Sequence, residues 1–397
     1  MKFGKPGQIT LVSAIALMVA TLFTACGTLN VGFLFVATNK QAPGQIEVYE
    51  VNSESGALRT IPTSPFPSGG RNPVAEVVSP DFKNLYVANR DDNNIVQFGI
   101  GTDGKLYPQS TINTPGSFPI ALTINSANKV VYVLDTLQRV GACSLTNPCP
   151  GVLASCNVNA NGSLGTLADG TYQCLNSAAL QLKPTDAKTV LTPTSLDLLA
   201  NGSFAYVSAY NSDTNVGYVF AFATGADGTL TPLNGGLPYS VGSQPVAMAS
   251  DDAGATLYVA DKQLNKISIF GIQSDGTLAL QSSAATGDQP SALTLDGSKF
   301  LYVTNSGDSN VTGYAVGAGS LSKLTTSASD TNPIAITVDP KKLGFLYTVN
   351  FLGNSLSGFQ INPNTGALIN TQNTPYASSV QPTAIAGIPH GGTTKAK

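Results

Sequence analysis

The chain has 397 residues and a formal net charge of −3, with 42% hydrophobic residues, 11% charged residues, 40 Gly, 24 Pro, one His and no Trp. That apolar content supports a large buried core and excludes a wholly disordered chain, while the mild acidity gives nucleic acid no electrostatic hold. A single histidine removes the commonest general base near neutral pH and most zinc-site chemistry.

Lys2 and Lys5 precede an apolar run from Ile9 to Phe23 that ends at Thr24-Ala25-Cys26, the basic, hydrophobic and small-residue order of a secretory signal. The run is too short for a comfortable membrane span. Leu22-Phe23-Thr24-Ala25-Cys26 resembles a bacterial lipobox, with Phe23 where Leu is usual. Residues 1–25 therefore read as a lipoprotein signal, Cys26 as the lipidated residue and 26–30 as a short tether. Cleavage after Gly27, giving a periplasmic or secreted protein, is the alternative.

From residue 72 a unit recurs: X-Pro, an Ala or Ser two places on, a small turn, an apolar strand of the type Leu-Tyr-Val-Ala-Asn, a second alternating strand, and in several units an Asp-Gly or Asn-Gly turn. The prolines are Pro73, Pro119, Pro193, Pro245, Pro290, Pro333 and Pro382, spaced 43–52 residues apart except for 74 between Pro119 and Pro193. Period-two alternation of Tyr, Val and Thr at that spacing predicts four-stranded antiparallel propeller blades and not helical repeats. The apolar strand occurs seven times, at 34–38, 85–89, 131–135, 205–209, 257–261, 301–305 and 346–350. Asp103-Gly104, Asn161-Gly162, Asp227-Gly228 and Asp275-Gly276 are tight hairpin turns, because Gly and Asn/Asp accept positive φ.

The long interval is an ordinary blade plus about 28 residues, an insertion at about 136–190 in blade three. It holds Cys143, Cys149, Cys156 and Cys174, an even cluster that reads as two disulfides in an exported chain. Cys143–Cys149 and Cys156–Cys174 are the favoured pairs. A zinc site has the wrong spacing, and no metal or other cofactor is expected.

The first unit starts at its second strand, whereas the chain ends with an unpaired Pro strand, Gln381-Pro382-Thr383-Ala384-Ile385-Ala386. The fold expected is thus an all-β, seven-bladed β-propeller over 31–389, closed by a C-terminal strand that completes blade one, with 390–397 as a disordered tail. The Tyr-Val-Ala-Asn and Tyr-Val-Thr-Asn strands, the X-Pro-X-Ala strand and the Asp-Gly-Thr-Leu turn resemble the seven-bladed propellers of the YVTN repeat and lactonase (6-phosphogluconolactonase-like) family. The missing Trp departs from the WD40 pattern.

In such a fold the loops leading into the Pro strand and those joining the second and third strands open on one face. Arg71, Arg90 and Arg139 map to that rim on blades two and three, where guanidinium groups can hold a carboxylate or phosphate. Asn89, Asp135, Asp261, Asn305 and Asn350 end the second strands and can either line the mouth or satisfy their own turns. Three places after each strand proline stand Glu76, Leu122, Leu196, Met248, Leu293, Ile336 and Ile385. Glu76 is the ionisable exception, with Asp197 one place further along its own strand, and a poorly solvated carboxylate there can act as general acid or base. His390 falls in the tail, so no Ser-His-Asp set can be assembled.

The leading expectation is an exported, lipid-anchored, monomeric binding platform at the cell envelope, engaging an envelope protein or a small anionic or sugar ligand at its mouth. The resemblance implies the alternative, a lactone hydrolase acting on an acidic sugar lactone, with Glu76 as base and Arg71, Arg90 and Arg139 holding the substrate.

Overall fold

A computed structural model describes residues 30–39, 43–138, 149–165, 174, 176–182, 189–339 and 344–389. The chain forms seven antiparallel sheets of four or five strands. The innermost strands, Pro382–Pro389, Pro73–Val78, Gly116–Ile124, Thr192–Leu198, Pro245–Ser250, Pro290–Asp296 and Pro333–Val338, touch in that cyclic order and return to the first. Blades 1 to 7 are numbered by these strands. The expected propeller is what forms.

Ring closure is as the repeat phase predicts. The strand Asn30–Thr38 pairs antiparallel with Pro382–Pro389, from Gly32 opposite Pro389 to Thr38 opposite Pro382. Two chain regions some 350 residues apart thereby share one sheet, and the edge of the first strand is covered. The outer strand is continuous in blades 2, 5 and 6, but in blades 1, 4 and 7 it is broken into two short pieces that pair with the same third strand.

The apolar core lies between the blades. Seven buried clusters correspond to the seven seams, each joining the Leu and Val side of one second strand to the Tyr side of the preceding blade's. In the seam between blades 4 and 5, Tyr206 meets Leu257, Val259 and Phe270. Alternation within Leu-Tyr-Val sends the tyrosine to one seam and its two neighbours to the other.

A buried tyrosine needs a partner for its hydroxyl. Here that partner is a turn in the following blade. Tyr86 donates to the Gly162 carbonyl (2.7 Å), Tyr206 to Gly276 (2.9 Å), Tyr302 to Gly366 (2.9 Å) and Tyr347 to Gly56 (2.8 Å). In the seam between blades 3 and 4 the Ser155 hydroxyl does the same to Gly228 (2.6 Å). Gly276 sits at φ +80° with its Cα against the Phe204 ring, so a side chain there meets both backbone strain and a clash. The turn signal and the strand signal of the repeat are thus two halves of one contact.

Inner strands are latched in three seams. Thr383, Thr194 and Ser291, each following its strand proline, donate to the carbonyls of Pro73, Pro245 and Pro333 in the next blade, all at 2.6 Å.

Cys156 is buried in the third strand of blade 3 and bonded to Cys174. Cys149 is also disulfide-bonded. Cys26, Cys143, Arg139 and His390 lie outside the described residues.

Candidate active site

In blades 2, 5, 6 and 7 the inner strand begins at a proline paired with the last residue of its second strand: Pro73 with Asn89, Pro245 with Asp261, Pro290 with Asn305, Pro333 with Asn350. The Pro loops and the following hairpins therefore share one face, the rim.

The Asx residues at the strand ends are fully buried and brace this rim. Asn89 accepts from the Ser68 hydroxyl (2.8 Å) and donates to the Ser68 carbonyl (3.2 Å) and Asn94 Oδ1 (2.9 Å). Asp135 accepts the Gly116 N–H (3.0 Å). Asp261 accepts four backbone N–H groups, from Ser243 (2.6 Å), Gln244 (3.2 Å), Gln263 (3.0 Å) and Leu264 (2.9 Å). Asn305 accepts from Gly287 (3.1 Å), and Asn350 donates to the hydroxyls of Ser355 and Ser357 (3.0 Å each).

Of the rim arginines, Arg71 is turned onto Asp92: Nε lies 2.7 Å from Oδ1, and the Arg71 backbone N–H lies 2.7 Å from Oδ2. The hydrogen-bonded guanidinium holds the Asp92 carboxyl below the usual carboxylate range. Arg71 also donates to the Asp91 carbonyl (3.1 Å). Arg90 is less committed, lying 3.8 Å from the Asp91 carboxylate with its guanidinium 5.4 Å from the centroid of the Phe118 ring.

Glu76 stands opposite Val87, on the face of the inner strand of blade 2 that looks toward blade 1. Its neighbours across the seam are Ala386 and Ala37, small residues that leave room for a carboxyl group. Both carboxylate oxygens are shut off from solvent and make no hydrogen bond of normal geometry. Desolvation pushes the carboxyl up to about 8, while the backbone amides of Ala386 and Ala37 pull weakly the other way. At neutral pH the group is held mainly protonated.

Asp197 faces the opposite way, from blade 4 toward blade 5, with Oδ2 buried and unbonded. Burial raises its carboxyl, and Ser250 opposes the shift. Among the described residues, no group of three or more His, Cys, Asp or Glu is placed to hold a metal ion.

Two features escaped the sequence reading. Glu47, in the third strand of blade 1, is 8% exposed and accepts hydrogen bonds from Tyr49 (2.7 Å), the Ser378 hydroxyl (2.6 Å) and the Ser379 N–H (2.9 Å), tying blade 1 to blade 7. The strand alternation gave no sign of it, because Ser378 and Ser379 come from the other end of the chain. The residues before the strand prolines form a second set: Asn72, Phe118, Gln289, Asn332 and Gln381 are left-handed, with φ from 51° to 59°. Their backbone groups are largely used at the rim, Gln289 N–H by Asn265 Oδ1 (2.9 Å) and Gln381 N–H by Asn354 Oδ1 (2.9 Å). The side-chain amides of Gln244, Gln289, Asn332 and Gln381 make no hydrogen bond among the described residues. An amide at this position in five of seven repeats was a signal available in the sequence.

A family model described as "Lactonase, 7-bladed beta-propeller" matches residues 42–139, 166–294 and 280–385. A 6-phosphogluconolactonase from Cronobacter sakazakii is 22% identical over 218 residues, 54% of this chain and 57% of that protein, so the match spans little more than half of the relative's length. Among solved structures, the periplasmic gluconolactonase of Pseudomonas aeruginosa superposes with a TM-score of 0.73 at 18% identity, covering 90% of this chain and 99% of that one. A protein from Lactobacillus plantarum superposes with a TM-score of 0.72 at 16% identity, covering 90% and 99%. At these identities the structural likeness concerns the fold.

Proposed function

The chain belongs to the seven-bladed lactonase propellers, and from that premise we propose that it is an exported hydrolase of an acidic sugar lactone. The observation that carries this reading is Glu76, a carboxyl whose oxygens are shut off from solvent and make no hydrogen bond of normal geometry, in an otherwise apolar inner-strand register. Lactone hydrolysis adds water across the ring ester: the water oxygen bonds to the carbonyl carbon and gives up a proton, negative charge gathers on the carbonyl oxygen, the ring C–O bond breaks, and the departing oxygen takes a proton. A carboxyl that stays protonated at neutral pH is suited to supply that proton, and above about 8 it serves instead as the base that draws a proton from water. Arg90, half-exposed on the rim, keeps donors for the substrate's anionic group, whereas Arg71 is engaged by Asp92.

Export is supported by the Cys156–Cys174 disulfide and by the periplasmic relative. Within this reading Cys26 carries a lipid anchor and the protein works as a monomer. Fatty-acid labelling of the wild type and of Cys26→Ser tests the anchor, which is discarded if both label equally.

The enclosure of both Glu76 oxygens favours a second reading, a non-catalytic platform that binds a sugar or an envelope protein at the rim. A panel of sugar lactones assayed with wild type and Glu76→Gln separates the two. Turnover that falls at least about a hundredfold in the variant supports the hydrolase, and no turnover of any lactone by wild type leaves the platform.

A further inference from the structure

We propose that a depression on the rim between blades 5 and 6 is a binding site for an uncharged, polyhydroxylated ligand, a sugar ring, separate from Glu76. The depression has a volume of about 300 Å³ and is lined by Lys262, Gln263, Asn265, Asp288 and Gln289. That volume is at the lower end of small-molecule sites, which span roughly 300–1,000 Å³. Each lining side chain carries hydrogen-bonding groups: an ammonium with three donors, three amides that both donate and accept, and a carboxylate acceptor. Lys262 and Asp288 contribute one charge of each sign and form no ion pair with each other. An ammonium and a carboxylate held apart, with amides between them, suit adjacent hydroxyl groups, which both donate and accept; a singly charged ligand gains from one of the two and loses to the other, so the pair gives it no net electrostatic advantage.

The site is built before any ligand arrives. Asn265 accepts the Gln289 N–H through Oδ1 (2.9 Å) and donates through Nδ2 to Asp288 Oδ1 (3.1 Å). The Asp288 N–H is held by Asp308 (2.8 Å), and the Gln289 carbonyl accepts from the N–H (2.8 Å) and hydroxyl (2.9 Å) of Ser306. The Lys262 N–H goes to the Gln244 carbonyl (2.8 Å). These bonds fix the loop backbones and leave the Lys262 ammonium and the Gln289 amide uncommitted among the described residues.

Blade 2 repeats the backbone frame of blade 6 with a different side chain. The second residue before its proline, Arg71, gives its N–H to Asp92, as Asp288 gives its N–H to Asp308 in blade 6. In blade 2 the Arg71 side chain then folds onto that aspartate. In blade 6 the corresponding side chain is the Asp288 carboxylate, which instead accepts from Asn265 of blade 5 (3.1 Å) on the wall of the depression.

The test is binding of glucose, galactose and mannose to the exported chain, followed by saturation-transfer NMR and calorimetry, with gluconate as the anionic comparison. The expected result is that a hexose binds, that Lys262→Met and Gln289→Ala each weaken it about tenfold, or about 1.4 kcal/mol, and that Glu76→Gln binds as wild type does. Melting curves confirm that these rim variants are folded. Absence of hexose binding, hexose binding that both rim variants retain, hexose binding lost in Glu76→Gln, or Lys262-dependent binding of gluconate in preference to hexoses each overturns the proposal. None of these outcomes depends on lactone turnover, so the hydrolase reading stands or falls apart from it.

Discussion

The Glu47 carboxylate and Ser379 are joined by a 2.9 Å hydrogen bond from the Ser379 N–H and a second from its hydroxyl, across 332 positions of sequence. Tyr49 and Ser378 complete the set around the same carboxylate. The two ends of the chain are therefore joined both by the pairing of Asn30–Thr38 with Pro382–Pro389 and by a buried acceptor with protein donors on each oxygen.

Removing that acceptor leaves at least three donors in a buried seam without partners. Glu47→Ala is expected to lower the free energy of unfolding by about 3 kcal/mol, and Glu47→Gln by less, since one amide oxygen remains. Chemical denaturation measures both, and equal, small losses would mean that water replaces the carboxylate.

Ending the chain at Ser379 removes the strand Pro382–Pro389 and exposes the edge of Asn30–Thr38. The shortened protein should unfold or associate through that edge. Size-exclusion chromatography with a melting curve is decisive: a monomer with unchanged melting temperature would contradict closure by this strand.

Glu76 gives stability a particular pH dependence. Its folded carboxyl lies near 8 against an ordinary value of 4.5, so the unfolded chain releases the proton first as pH rises. The stability that the protonated group allows is fully present below about 4.5, declines as pH climbs toward 8, and is gone above it. Wild type should thus lose a few kcal/mol across that interval relative to Glu76→Gln. Melting temperatures of the two proteins recorded from acid to mildly alkaline pH should diverge in this way, and parallel curves would place the carboxyl in a wetter setting.

The tyrosine-to-turn contacts predict two effects of different size in the seam between blades 4 and 5. Tyr206→Phe deletes the bond to the Gly276 carbonyl (2.9 Å) and should cost about 1–2 kcal/mol. Gly276→Ala adds a Cβ against the Phe204 ring at φ +80° and should cost more. Urea titrations of both variants check the order, and a harmless Gly276→Ala would show that the turn can shift.

What the sequence made legible was whatever recurs. Seven copies of the apolar second strand defined the blades, and the position of Pro382 defined closure, because the same physical demand is met once in every repeat. The register also singled out Glu76 as the charged member of an apolar row, but not the seam it enters, since Ala386 and Ala37 approach it from both ends of the chain. Arg71 illustrates the opposite case: the rim position followed from the repeat, while the turn of its side chain onto Asp92 depends on a hairpin geometry that no spacing displays. Glu47 was hidden for a similar reason, since Ser378 and Ser379, two of its donor residues, lie more than 300 residues downstream.

Completion of blade 1 by the last strand also sets the order of events in folding. Blades 2 to 7 are each formed from one continuous stretch of chain, so their hairpins can assemble as soon as that stretch is free. Blade 1 must wait for Pro382–Pro389, with the edge of Asn30–Thr38 open throughout. The ring is thus committed only after its C-terminal end has emerged, and the period before that is when the chain is most prone to pair with a copy of itself.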